Sequence, residues 1–367
     1  MKKLSKNYFI IPIFVPHLGC PHDCIFCNQK KITGLSTNVA DVDVKNIIEE
    51  HLETFPKGDI SIEVAFYGGS FTGIDKNVQK ELLSIPYKYK KKGIINGIRL
   101  STRPDYIDEE ILNILKTYSV DTIELGVQSL DEEVLKNSYR GHSVKDVYRA
   151  AELIKEQGFN LGLQMMIGLV GDTKDKSLFT AKEFVKLNPY CVRIYPTLVI
   201  KDTYLNKMYK EEKYKPLSID ETVDIVTDIL LLFEYYNIDV IRIGLQPTEN
   251  IQLGKDVIAG PFHPSFRQLV ESNIYKLILE NHLSNYKKDL ITNQILFIET
   301  NEKNISNIVG QKSFNTNYLV NKYKLERVKI SKEDLPRDII NITLGDYRKT
   351  VSRKEAINKL LYKRGIL

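Results

Sequence analysis

Residues 9–27 read Phe9-Ile10-Ile11-Pro12-Ile13-Phe14-Val15-Pro16-His17-Leu18-Gly19-Cys20-Pro21-His22-Asp23-Cys24-Ile25-Phe26-Cys27, an apolar run that meets three closely spaced cysteines. The run from Phe9 to Val15 reads as a buried strand, because short apolar segments bounded by turn residues are the mark of core strands. A loop turning on Gly19 and Pro21 brings the sulfurs of Cys20, Cys24 and Cys27 to one side, where they can share a metal centre. Three local thiolates without an adjacent fourth leave two readings. A structural zinc would complete its tetrahedron with His17, His22 or Cys191, whereas a four-iron cluster on three cysteines keeps one iron open for a ligand. Cys191, inside an apolar strand pattern, reads as a small buried residue.

The wider composition is that of an ordinary globular protein. The chain has 367 residues, 27% charged and 43% hydrophobic, with no tryptophan, which excludes collagen-like, mucin-like and largely disordered chains. Lys2, Lys3 and Lys6 before an apolar run resemble a signal peptide, but Pro12 interrupts the run and no small-residue cleavage site follows. No apolar stretch approaches the roughly 20 residues of a membrane span. A cytoplasmic protein is therefore expected, in which cysteines read as ligands or nucleophiles before disulfides. Charge is uneven: residues 261–367 hold 19 basic and 11 acidic side chains, against 33 and 36 in residues 1–260. Such an asymmetry favours a polyanionic partner for the C-terminal part, or simply a solvated basic face.

Strand patterns recur at Phe9 to Val15, Ile60 to Tyr67, Gly97 to Ser101, Thr122 to Val127, Leu161 to Ile167 and Val192 to Tyr195. Helical patterns fall at Val44 to Glu53, Asp108 to Thr117, Val144 to Glu156 and Ser177 to Leu187. Alternation of this kind predicts an α/β fold with a parallel sheet, whose ligands sit at the C-terminal ends of the strands. Those ends are suggestively furnished. Gly68-Gly69 lets backbone approach a ligand closely, with Ser70 following. Thr102-Arg103-Pro104-Asp105 reads as a capped turn with a local Arg103–Asp105 pair. Gln128 carries an amide suited to ribose hydroxyls, and Arg140 a planar fork suited to a carboxylate or to a surface salt bridge. Gln164 precedes Gly168-Leu169-Val170-Gly171-Asp172-Thr173, in which Thr173 suits a helix cap. Arg193 and Tyr195 alternate on one side of their strand, either the interior or the surface.

The cysteine spacing, the aromatic Phe26 before the third cysteine, and these motifs in this order resemble the radical S-adenosylmethionine (SAM) superfamily. Thr102 to Asp105, Glu124 to Ser129 and Ile194 to Pro196 are similar to the radical domain of the catalytic subunit of Elongator, which modifies wobble uridines of transfer RNA. The resemblance covers about residues 8 to 270. It implies a partial (β/α)6 TIM-like barrel in which Cys20, Cys24 and Cys27 ligate a [4Fe-4S] cluster. S-adenosylmethionine binds the open iron and is cleaved to a 5′-deoxyadenosyl radical that abstracts hydrogen from a substrate. It further implies that Phe26, Gly68, Gly69, Ser101, Gln128, Arg140 and Gln164 surround S-adenosylmethionine, and that an electron donor such as flavodoxin or ferredoxin is a partner. Ser70 and Ser101 stand where relatives carry acidic residues, and Gln164 where they carry histidine or aspartate.

The C-terminal part departs from that family. No glycine-rich acetyl-coenzyme A signature follows, so the acetyltransferase domain of Elongator is not expected here. Strand Ile295 to Ile298, helix Ile305 to Val309, loop Gly310-Gln311-Lys312-Ser313, helix Asn315 to Lys322 and strand Glu326 to Ile330 follow the order of a KH core, an RNA-binding arrangement. The tail adds Arg348, Lys349, Arg353, Lys354, Lys359, Lys363 and Arg364 against Glu355. The division expected is a radical SAM barrel over 1–260 and a basic α/β domain over 261–367, either RNA-binding or barrel-capping. The reading is a radical SAM enzyme with RNA, foremost transfer RNA, as substrate. The alternatives are a small-molecule or protein substrate, and a zinc-stabilised, non-catalytic RNA-binding adaptor.

Overall fold

Among the described residues, seven parallel strands curl into a half-barrel, each paired with the next of the seven along the chain. In this computed structural model, residues 8–15, 24–28, 44–245 and 251–367 are described. The strands are β1 (Tyr8–Val15), β2 (Ser61–Gly68), β3 (Gly97–Thr102), β4 (Thr122–Gln128), β5 (Asn160–Ile167), β6 (Cys191–Pro196) and β8 (Asp239–Ile243). Between them run α1 (Val44–Thr54), α2 (Lys76–Lys91), α3 (Glu109–Thr117), α4 (Glu132–Asn137), α5 (Val144–Glu156) and α6 (Lys174–Leu187). A short antiparallel pair, β7 (Val199–Ile200) and β9 (Val257–Ala259), and helix α7 (Tyr204–Lys210) follow β6. The parallel sheet expected from the strand pattern and the partial TIM-like barrel implied by the resemblance are present, with β8 as a seventh strand beside the six read from sequence.

The helices start where the sequence supplies caps. Asp75, Asp108, Asp131 and Thr173 each accept a backbone amide of the first turn, and Ser143 forms a reciprocal capping box with Asp146. Fully buried Val64, Phe66, Ile98, Leu100, Ile123, Leu125 and Val192 point from the strands to one side of the sheet. Their neighbours along each strand point to the other side, the period-two consequence of the pleat. That other side carries Glu63, Tyr67, Arg99, Glu124, Gly126, Gln128, Gln164, Arg193 and Tyr195.

Residues group into two units, one holding residues up to 217 with 239–262, the other 218–238 with 263–367. The second unit therefore takes segment 218–238, which a single division at residue 260 assigns to the barrel. It contains α8 (Ile219–Tyr235), α9 (Phe266–Leu283), α10 (Lys288–Ile291), β10 (Ile295–Thr300), α11 (Glu302–Val309), α12 (Phe314–Tyr323), β11 (Arg327–Lys332), β12 (Ile339–Leu344), β13 (Tyr347–Ser352) and α13 (Arg353–Lys363). Its sheet runs β11-β10-β12-β13, with β10 and β11 parallel and the other pairs antiparallel. Strand, helix, tight turn, helix and strand follow each other as read from the sequence. Helix α8 opens with a Ser218–Glu221 capping box and packs against α9 and α13. Among the described residues no helix is long and apolar enough to cross a membrane.

Candidate active site

The described part of the cysteine loop, residues 24–28, is pinned to the barrel by backbone bonds. Ile25 N donates to Ser138 O at 3.3 Å and Leu205 N to Ile25 O at 2.7 Å, while Ile25 packs with Val199, Leu205 and Tyr214. Phe26 packs against the same apolar cluster. Cys24 is buried and Cys27 partly so, and Cys27 N closes a tight turn on Cys24 O at 3.0 Å. Cys20 lies outside the described residues, as do His17 and His22, the alternative zinc ligands.

Arg140 reaches this loop from the segment after α4. Its Nη1 donates to Cys24 Sγ at 3.4 Å and its Nη2 to Gly126 O at 2.6 Å. It is 8% exposed, and among the described residues its Nε has no hydrogen-bond partner; His142, two residues on, is buried as well. Burial, then the charges of Arg140 and Arg103, push the His142 imidazole down to about 3, so the ring is neutral at physiological pH. A Cβ on Gly126 would lie 2.9 Å from Arg140 Nη2 and 3.3 Å from Gln128 Nε2, so only glycine lets the guanidinium lie against β4.

Gln128 ends β4 at φ +73°, a backbone conformation uncommon outside glycine, at a register shift in the β4–β5 ladder. Its Oε1 accepts from Gln164 Nε2 at 3.2 Å, so the two amides converge from adjacent strands. Gly68 ends β2 at φ +107°, and Gly69 follows partly exposed. Ser101 stands on the same strand face as Arg99, two residues on. Ser70 does something else: its hydroxyl bonds Thr102 Oγ1 at 2.9 Å and accepts from Arg103 N at 2.9 Å, tying the ends of β2 and β3 together. Arg103 forms the local fork to Asp105 that the turn sequence suggested, at 2.9 and 2.8 Å. Asp172 fixes the loop after β5 by accepting Gly168 N at 2.8 Å and Ser177 Oγ at 2.7 Å, and Thr173 caps α6.

Beneath these groups lies a buried charge lattice. Arg99, 0% exposed, donates to Glu63, to Glu124 at 2.8 Å and to the Tyr8 hydroxyl at 2.6 Å. Glu124 is also paired with Arg193, whose guanidinium lies 4.7 Å from the Tyr67 ring and bonds the Tyr67 hydroxyl. Arg193 and Tyr195 thus face the barrel interior, the choice their alternation left open. Burial alone raises the Glu124 carboxyl, but Arg193, Arg99 and their hydrogen bonds outweigh it and hold it below the ordinary carboxylate range. Glu124, Arg99, Glu63 and Tyr67 were not singled out in the sequence. The signal was present in the period-two placement of Glu124, two residues before Gly126 and four before Gln128.

Comparison with known proteins bears on the same elements. The Radical SAM superfamily profile matches residues 14–182, and the Radical_SAM C-terminal domain profile matches residues 189–276. An uncharacterized protein of Methanocaldococcus jannaschii is 31% identical over 239 residues, 62% of this chain and 73% of that protein. The chain belongs to the radical SAM superfamily. It is a radical SAM enzyme, and the iron-sulfur cluster and S-adenosylmethionine are the family's cofactors. A tRNA uridine(34) acetyltransferase of Methanocaldococcus infernus is 28% identical over 260 residues, 59% of this chain and 48% of that enzyme. Human Elongator complex protein 3 is 38% identical over 152 residues, 40% of this chain and 27% of that protein. The chain therefore spans half or less of those two relatives. The structure of archaeal M. infernus Elp3 with an N-terminal deletion matches with a TM-score of 0.56 at 20% identity, over 95% of this chain and 76% of that one, a likeness of fold.

Proposed function

We propose that this radical SAM enzyme acts on RNA, with transfer RNA the first substrate to test, and that Cys20, Cys24 and Cys27 hold a [4Fe-4S] cluster. The observation that carries the site is the approach of Arg140 to Cys24 and to Gly126, beside the amide pair that Gln128 and Gln164 form across β4 and β5. When bound, the cluster and S-adenosylmethionine supply reductive cleavage and hydrogen abstraction. The chain's own residues bind and orient. Arg140 presents Nε, a buried donor without a partner among the described residues, and with its planar fork suits a carboxylate. The amides of Gln128 and Gln164 suit ribose hydroxyls, the paired glycines Gly68 and Gly69 offer backbone to an amino group, and Ser101 and Phe26 flank the same ligand. The buried apolar cluster of Ile25, Val199 and Leu205 backs the described part of the cysteine loop.

The RNA reading is supported by relatives named as transfer RNA-modifying enzymes and by the basic C-terminal residues. We read the enzyme as cytoplasmic, drawing its electron from a flavodoxin or ferredoxin. After anaerobic reconstitution, dithionite and S-adenosylmethionine should give 5′-deoxyadenosine, and unfractionated transfer RNA should accelerate its release and acquire a mass change in nucleoside digests. If transfer RNA changes neither, a small-molecule or protein substrate takes its place. Iron absent and zinc present after reconstitution would leave the adaptor.

Gly126→Ala tests the role of Arg140 separately from folding. The new methyl meets the far end of a flexible side chain, so the fold should survive while the guanidinium is displaced. Loss of one charge-assisted hydrogen bond, about 1.5–3 kcal/mol, predicts S-adenosylmethionine binding about 10- to 100-fold weaker. Equilibrium dialysis on the reconstituted enzyme, beside thermal melting, checks both halves.

A further inference from the structure

The C-terminal basic residues do not form one uniform cationic surface. Arg353 is held by Glu234 and Glu271, Arg364 by Asp224 and Asp228, and Arg348 by Glu299. Three of the seven basic tail residues named from the sequence are therefore spent on carboxylates, two of them fastening α13 to α8 and α9. The second unit carries a different kind of surface on α12.

Phe314, Asn317, Tyr318, Asn321 and Lys322 recur at helical spacing on one face of α12 and, with Gln311 and Lys312, line an open groove of ≈ 730 Å³. Phe314 is 60% exposed, and its ring lies nearly parallel to Tyr318, at 14° and 6.3 Å between centroids. Lys276, from α9, sits 5.8 Å from the Phe314 centroid and 5.3 Å from that of Tyr318. The Tyr318 hydroxyl donates to Glu280 at 2.6 Å, which fixes its ring. Lys322 is neutralised by the same carboxylate, whereas Lys276 and Lys312 have no ion-pair partner among the described residues. Lys312 and Ser313 both adopt left-handed backbone, φ 50° and 61°, at the corner where the groove begins. That corner is anchored by Asn315, buried, whose Nδ2 donates to Ser272 O at 2.8 Å, and by the Gln311–His263 contact at 3.1 Å.

We propose that this face of α12 is a docking site for single-stranded RNA, in which one base stacks on Phe314 and backbone phosphates lie against Lys312 and Lys276. An exposed aromatic beside cations accepts any base by its π-face, and the two asparagine amides can reach base edges. A duplex offers no free π-face and does not fit. The assignment rests on the reading of RNA as substrate, and names where on the chain a strand is held.

The test uses the full-length protein and a short fluorescein-labelled single-stranded RNA, with anisotropy read across a salt series. Phe314→Ala should weaken binding about tenfold, the lower part of the range for one stacked base. Lys312→Gln should lower the slope of log affinity against log salt by about one. Lys359→Gln, on the tail, should change binding by less than about twofold, and melting should show all three folded. Unchanged binding and slope in both groove variants overturn this site and leave the RNA reading standing. No binding of this RNA by the wild type likewise overturns the site, while the RNA reading stands or falls by the transfer RNA experiment.

Discussion

Alanine at Cys24 is expected to bring 5′-deoxyadenosine formation down to background, a loss of about a thousandfold or more, and to strip iron from the reconstituted protein. The sulfur is buried, approached by Arg140 Nη1, and held in a loop whose backbone is tied to Ser138 and Leu205. Removing one small sulfur leaves those ties in place, so thermal stability should change little. Cys191→Ala is the matched comparison. That thiol is also buried, and burial followed by the nearby Glu124 charge pushes it up to about 12, far from thiolate chemistry. Iron content and product formation should survive its loss. If the Cys24 variant retains iron and product, the cluster assignment fails.

The second large effect concerns stability. Glu124→Leu removes the carboxylate that balances Arg99 and Arg193, and should cost roughly 3–5 kcal/mol in urea unfolding because a buried cation is left unpaired. Arg99 keeps Glu63, so the burden falls on Arg193. Joint replacement, Glu124→Leu with Arg193→Leu, should therefore cost less than the single change, and a single change costing under about 1 kcal/mol would sink the argument. The pH dependence has a definite sign. Because the folded carboxyl is held below its ordinary value, its contribution is complete above the ordinary carboxylate range. It is lost only as pH falls through the lower, folded value. The wild type should keep its advantage over the variant through mildly acidic solution and surrender it in strong acid.

Much of the barrel was legible along the chain. Strands β1 to β6 were read within a residue or two of their ends, since β-branched runs closed by glycine or by a capped turn leave little choice of period. Strand β8 was not, because Asp239 and Arg242 break the alternation of Val240 and Ile243, and its pairing with β6 carries a register shift at Val192 and Arg193. Helix α2 hides behind Pro86 and a run of lysines, although Pro86 is buried within it. The site divides in the same way. Gln128, Arg140 and the glycines of the proposed site were picked out by motif, but the approach of Arg140 to Cys24 joins residues 116 apart and no local pattern encodes it. Glu124 and Arg99 were read as parts of apolar strands, since one charged side chain in such a run looks like a tolerated exception until its partner on the neighbouring strand is known.

Helix α8 leaves the barrel sequence after residue 217 and returns to it at β8, yet packs with the C-terminal residues. Ten of its side chains are buried, among them Ile225, Ile229, Leu230 and Phe233. A cut at residue 262 alone would strand that apolar surface on the first piece and deprive the second of its partner. Exchange of the second unit by recombination thus requires three joints made together, two around α8 and one before α9. Duplication, loss or swapping of this unit is consequently hard to accomplish in single steps, and the barrel and its companion are bound to a shared inheritance by the path of the backbone.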